Sequence, residues 1–241
     1  MALQEILPDP NYRISGGGDH ASGSYGPGFA QIKLDNSHKM LATRTNSQRL
    51  IARSIAGQKW NIGINYNPMT REEFEPVFTF LLGKQGPLTP FFVSLPQYRA
   101  SQNSTWDATV LLANYTPRVN GSVAASKSEV MVEINTTGGA TTYSIGSMGY
   151  PTPGDMCTFT NHTKAYLITR VETPSDNQTA IPDANNFRLT LSPSLSKAVS
   201  DEETIEFSKP LIKVVLPKPL ASYTLNKDNL YSFSLKLEEY L

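Results

Sequence analysis

Between Trp60 and Phe92 the chain encodes three elements in succession, and no other stretch constrains the fold as much. Trp60, Ile62, Ile64 and Tyr66 alternate with Asn61, Gly63 and Asn65, the period-two pattern of a strand with one buried face. Asn67-Pro68 breaks the pattern. Thr70 then stands three residues before Glu73, the spacing of a capping box, with Met69 and Phe74 at the flanking staple positions. Phe74, Val77, Phe78, Leu81 and Leu82 follow at helical spacing, and Gly83 predicts the stop. Pro76 falls late for a first-turn proline, which predicts an irregular opening turn. A second strand is predicted from Phe91 to Leu95, ended by Pro96.

That helix is the only convincing one in 241 residues. Charged residues make up 17% of the chain, below the usual quarter or so, and Ser, Thr, Asn, Gly and Pro take their place. Such a composition suits turns and polar strand faces rather than long exposed helices, so a mainly β fold is expected. From 99 to 207, polar turn clusters separate short strand runs: Val110–Leu112, Val130–Ile134, Met156–Phe159, Ala165–Val171, Phe187–Leu191 and Thr204–Phe207. This spacing predicts a small β-barrel or sandwich, with Gly154-Asp155 as one of its turns.

Residues 208–241 return to long regular patterns. Leu211–Leu216 is one strand; in another, Tyr231, Phe233, Leu235 and Leu237 alternate with Ser232, Ser234, Lys236 and Glu238. The natural partner of these strands is the sheet expected within 31–98. The expected plan is therefore a β-sandwich belt domain of 31–98 and 208–241 with one short α-helix, interrupted by an inserted β-barrel of 99–207. Residues 1–30 form a flexible lead-in with six glycines between Gly16 and Gly28. Tyr12, Tyr25 and Phe29 would anchor such an arm on a neighbouring subunit.

Twenty-one basic residues balance 21 acidic ones, with no basic stripe read along the chain, so nucleic-acid binding is not expected. Near-zero charge favours association. The N-terminus lacks the basic start and apolar run of a signal peptide, and no segment is long and apolar enough to span a bilayer. The lone Cys157 cannot form an internal disulfide and reads as a small buried hydrophobe, which fits synthesis in a cytoplasm. His20, His38 and His162 match no metal-ligand spacing, and Gly16–Gly18 lacks the Lys-Ser or Lys-Thr of a phosphate loop. Asp155, Cys157 and His162 fall close together, but nothing nearby would lower the thiol pKa. No catalytic, cofactor or metal residue is nominated, and an enzyme is not expected.

The run Trp60-x-Ile-x-Ile-x-Tyr66, followed by Met69-Thr-Arg-Glu-Glu-Phe74 and Gly83-x-x-Gly86, resembles a family of tailed-bacteriophage structural proteins. The ending Asn229-Leu-Tyr231-Ser-Phe233-Ser-Leu235 is similar to the closing strand of phage distal-tail and related minor tail proteins. Gly154-Asp155-x-Cys157-x-Phe159-x-Asn-His162, with Leu191-Ser-Pro193, is similar to a barrel pattern of such proteins. The resemblance implies a virion tail protein that closes a ring, commonly a hexamer, at the distal tail or baseplate. Its partners would be further copies of itself and the tube, hub and fibre proteins, with no cofactor. Tyr12, Tyr25, Phe29, Tyr231 and Phe233 are the nominated subunit-interface residues. Two alternatives stay open. One is a carbohydrate-binding module that stacks Trp106, Tyr115 or Tyr166 on host glycans; the other is a capsid decoration or neck protein.

Overall fold

The computed structural model describes residues 5–14, 24–38, 40–54, 57–110, 115–136, 149–181, 185–219 and 223–241. The fold is mainly β, as the composition predicts. Two compact units divide the chain: Met1–Ser94 with Ile212–Leu241, and Leu95–Leu211.

The first unit begins with β1 (Arg13–Ile14) paired to β2 (Ser24–Tyr25), then β3 (Phe29–Ser37). A hairpin of β4 (Met40–Arg44) and β5 (Leu50–Ser54) precedes β6 (Lys59–Tyr66), α1 (Arg71–Gly83) and β7 (Phe91–Ser94). The second unit holds α2 (Ser104–Val110), β8 (Tyr115–Val119), β9 (Glu129–Thr136), β10 (Met156–Phe159), β11 (Ala165–Glu172), β12 (Asn186–Ser192) and β13 (Ile205–Glu206). The chain then returns through β14 (Leu211–Val215), β15 (Thr224–Leu225), β16 (Tyr231–Ser232) and β17 (Ser234–Glu239).

The first unit is built on a five-stranded sheet in the order β3-β6-β17-β14-β7. In its register Ile62 lies opposite Leu34 and Leu237, and Ile64 opposite Ile32 and Leu235. Every second side chain therefore enters the core, and a one-residue slip would expose the whole set. Helix α1 lends Phe74, Val77 and Leu81 to that core. The Phe74 ring stacks on Tyr231 at 4.5 Å and meets Phe233 edge-on, while Phe80 is edge-on to Phe91.

At the helix start the Glu73 carboxylate accepts the Thr70 N–H and hydroxyl, both at 3.0 Å, completing the predicted capping box. Pro76 does not produce the irregular opening expected of it. The helix runs through it from Arg71, and its missing N–H costs only the bond that Glu72 O would have accepted. The helix stops at Gly83 as expected, and the left-handed reversal comes just beyond, at Gln85 and Gly86, with φ of 54° and 70°. A Cβ on Gly86 would sit 3.2 Å from Pro219 N.

Part of the predicted arm belongs to this unit. Leu7 N–H donates to Phe92 O at 2.8 Å and Phe92 N–H to Glu5 O at 2.6 Å, a parallel bridge that covers the outer edge of β7. Leu7 is buried, so this stretch is not a free lead-in. The glycine run 16–18 lies outside the described residues.

The second unit is a six-stranded sheet, β13-β10-β11-β12-β9-β8, curled until its ends meet. Val119 N–H donates to Glu203 O, and Glu202 N–H to Val119 O, both at 2.9 Å, so the barrel is nearly closed. Its interior holds Trp106, Phe159, Tyr166 and Phe187 with branched aliphatics from the strands. A second helix, α2, was not expected; the sequence suggested a strand at Val110–Leu112, of which 111–112 lie outside the described residues. The local cause is Asn103, whose side-chain oxygen accepts the Thr105 N–H at 3.1 Å and the Trp106 N–H at 3.4 Å. That turn drives Trp106 into the barrel, edge-on to Phe187 and Phe207.

Candidate assembly interface

The five nominated interface residues differ in burial, and Phe29, Phe233 and Tyr231 are linked through the rings of Tyr66 and Phe74. Tyr12 closes a tight turn with Asp9, whose side chain accepts the Asn11 and Tyr12 N–H groups at 2.6 and 2.9 Å. Gly26 is required beside that turn, since a Cβ there would lie 2.4 Å from Pro8 C. Tyr25 is 55% exposed. Phe29, at the start of β3, is half-buried and edge-on to Tyr66 at 5.5 Å. Burial raises the Tyr66 phenol pKa far above its ordinary value, and the Asp9 carboxylate adds to the rise.

Tyr231 is half-buried between Phe74 and Tyr223. Phe233 is a correction: at 6% exposure it is a core residue, stacked near Tyr66 at 5.8 Å. The predicted strand breaks at this residue into β16 and β17, because Phe233 turns in beneath α1 while Tyr231 bridges to Met69 at 2.8 and 2.9 Å.

Two other surfaces are left uncovered among the described residues. The first is the outer edge of β3. Nine residues long, it has β6 on one side and, among the described residues, no strand on the other. It contains no proline, its one bulge sits near its start, and Ile32 and Leu34 on its inner face are only half-buried. Natural sheets usually blunt such an edge or cover it, as residues 5–7 cover β7 here.

The second is the β4–β5 hairpin. Its pairing is regular from Met40 opposite Ser54 to Arg44 opposite Leu50. The tip is well built: Thr45 N–H donates to Arg49 O at 3.0 Å, Gln48 N–H to Thr45 O at 2.8 Å, and Gln48 takes a left-handed φ of 64°. Yet every residue from Leu41 to Arg53 is exposed, including Leu41 at 64%, Leu50 at 58% and Ile51 at 52%. It also carries Arg44, Arg49 and Arg53, and no acidic residue occurs between Asp35 and Glu72. The balanced total charge conceals this basic stretch.

Within the barrel, the cluster near Cys157 is structural in its contacts. Asp155 accepts from Thr152 N at 2.8 Å, Gln102 N at 3.1 Å and the Ser101 hydroxyl, tying two loops together. His162 Nδ1 and the Tyr166 hydroxyl are 2.9 Å apart, and that hydroxyl lies 2.9 Å from Ser196 Oγ. Burial holds the His162 pKa below its ordinary value, and burial together with the nearby Asp155 pushes the Cys157 thiol up, away from the reactive thiolate. Trp106 and Tyr166 are fully buried and cannot stack on a sugar, while Tyr115 is half-buried.

Among the described residues no group of three His, Cys, Asp or Glu side chains could hold a metal ion. No helix among them is long and apolar enough to cross a membrane. Compared with known proteins, the chain matches no protein-family model and no curated protein.

Proposed function

We propose that this protein is a structural subunit that self-associates into a ring at the distal tail or baseplate of a bacteriophage, joining the tail tube to tip or fibre proteins. The observation that carries the self-association is the nine-residue edge of β3, which no strand pairs among the described residues, in a unit whose opposite edge is covered by its own chain. Backbone donors and acceptors along that edge gain a ladder when another chain adds to it. Zero net charge opposes no such contact. The tail assignment rests on the resemblance of the Trp60–Gly86 and Asn229–Leu235 runs to phage tail proteins.

A ring needs a heterologous contact, in which one surface meets a different surface on the next copy. Light scattering over a concentration series, with negative-stain imaging of the product, tests this. A closed oligomer of about hexamer mass is the expected result. A strict monomer at the highest concentration, with no binding to purified tail tube, would remove the proposal.

A further inference from the structure

We infer that the slot between strand β17 and the chain that follows β14 takes an extended acidic peptide segment of another protein, which pairs with β17 and sets its acids on Lys218 and Lys236. The slot has a volume of about 600 Å³, within the range of ligand sites, and its described walls are residues 216–219, 223–224 and 232–236.

The backbone leaves a strand-shaped opening there. Tyr66 N–H donates to Phe233 O at 3.2 Å, so Phe233, Leu235 and Leu237 turn their N–H and C=O groups toward β6. Ser234, Lys236 and Glu238 turn theirs the other way, toward β14. On that side Tyr240 N–H donates to Lys213 O at 2.8 Å, and Glu238 stands opposite Val215. Continued in this register, the ladder would next join Lys236 to Pro217 and Ser234 to Pro219. Neither proline has an N–H to give, and among the described residues no backbone bond joins 216–219 to 234–236. The walls are fixed by the core of their own unit. Pro219 lies against Gly86, where a Cβ would come within 3.2 Å of its nitrogen, and the Tyr223 ring packs on Phe74 at 5.1 Å.

Backbone pattern and charge together select the occupant. Ser234 and Lys236 each present one donor and one acceptor in the plane of the sheet, a pattern that another extended backbone matches and a simple anion does not. The described lining holds Lys218, Lys236 and the hydroxyls of Thr224, Ser232 and Ser234, and no acid. Neither lysine has an ion-pair partner among the described residues. The acids on the far side of Lys236 are engaged elsewhere, Glu238 with Lys59 at 2.7 Å and Asp35 with Lys33 at 2.9 Å. Side chains of an added strand alternate between faces. Every second one would stand beside the exposed Lys236, and those between would face buried Phe233 and Leu235. The fitting segment therefore carries acids at alternate positions with apolar residues between them, antiparallel to β17.

The probe is the end-blocked, fluorescently labelled peptide Ser-Glu-Val-Glu-Val-Glu-Ser, titrated against the full chain by polarisation. Saturable binding with a Kd below about 1 mM is expected, with shifts of the Ser234 and Lys236 amides in a heteronuclear NMR spectrum. Added salt should weaken it. Lys218→Glu/Lys236→Glu changes two exposed side chains, so it should keep the wild-type melting profile while weakening the peptide about tenfold or more. The peptide methylated on the backbone nitrogen of every glutamate should not bind, because it cannot donate to β17.

No saturation by about 1 mM, or equal binding by the lysine variant, would overturn the site. Equal affinity of the methylated peptide would show capture of a carboxylate without strand pairing, and would overturn the peptide in favour of a simple anion.

Discussion

Phe74 holds the first unit together at one point, and truncating it gives the sharpest test of how that unit is built. Its ring is buried and touches four others: Tyr231 at 4.5 Å, Phe78 and Tyr223 at 5.1 Å, and Phe233 at 5.7 Å. Phe74→Ala removes a fully buried ring, a change that costs about 3–5 kcal/mol in transfer and cavity terms. The lost ring pairs place this site near the upper end, at about 4–5 kcal/mol, a large share of the stability of an ordinary domain. Phe74→Leu keeps most of the volume and should cost about 1.5 kcal/mol. Trp60 lies in the core of the first unit and Trp106 in that of the second. In a Trp106→Phe background, urea unfolding followed by tryptophan emission therefore reports the first unit. Leu88→Ala, at a 75% exposed position, is the control and should stay within about 0.5 kcal/mol. A Phe74→Ala loss below about 1.5 kcal/mol would show that the ring cluster is not the pin between α1 and the closing strands.

Three further predictions concern the barrel. Asp155→Ala leaves the Gln102 and Thr152 N–H groups without their acceptor and should cost about 2–4 kcal/mol, with Asp155→Asn costing less; Trp106 emission during unfolding measures both. For His162 the folded pKa lies below the ordinary 6.5, so the unfolded chain binds the extra proton first. Stability is then complete above pH 6.5 and falls as pH drops toward the depressed value, with a slope of at most about 1.4 kcal/mol per pH unit. His162→Asn should remove this slope from urea midpoints measured on either side of pH 6.5; an unchanged slope would exclude His162 as its source. The Cys157 thiol should react with a thiol reagent only as fast as the barrel unfolds, and rapid labelling of the native protein would contradict its burial.

What could be read from the sequence was what this chain buries within itself. The alternation in β6 and β17 and the helical stripe of α1 were legible because Ile62, Ile64, Leu235, Leu237, Phe74 and Leu81 all enter one core. Helix α2 was missed because Trp106 is the one buried side chain among those described in it, too little for a period, and its signal is the Asn103 side chain folding back on the N–H groups that follow. Strand β8 was missed because Pro117 interrupts it, which a strand tolerates at the seam of a sheet. The β4–β5 hairpin failed for a different reason. Periodicity reports a buried face, and in the isolated chain this hairpin has none. Its readable signal was charge, the stretch from Asp35 to Glu72 without a single acid between them, and the balanced total conceals it.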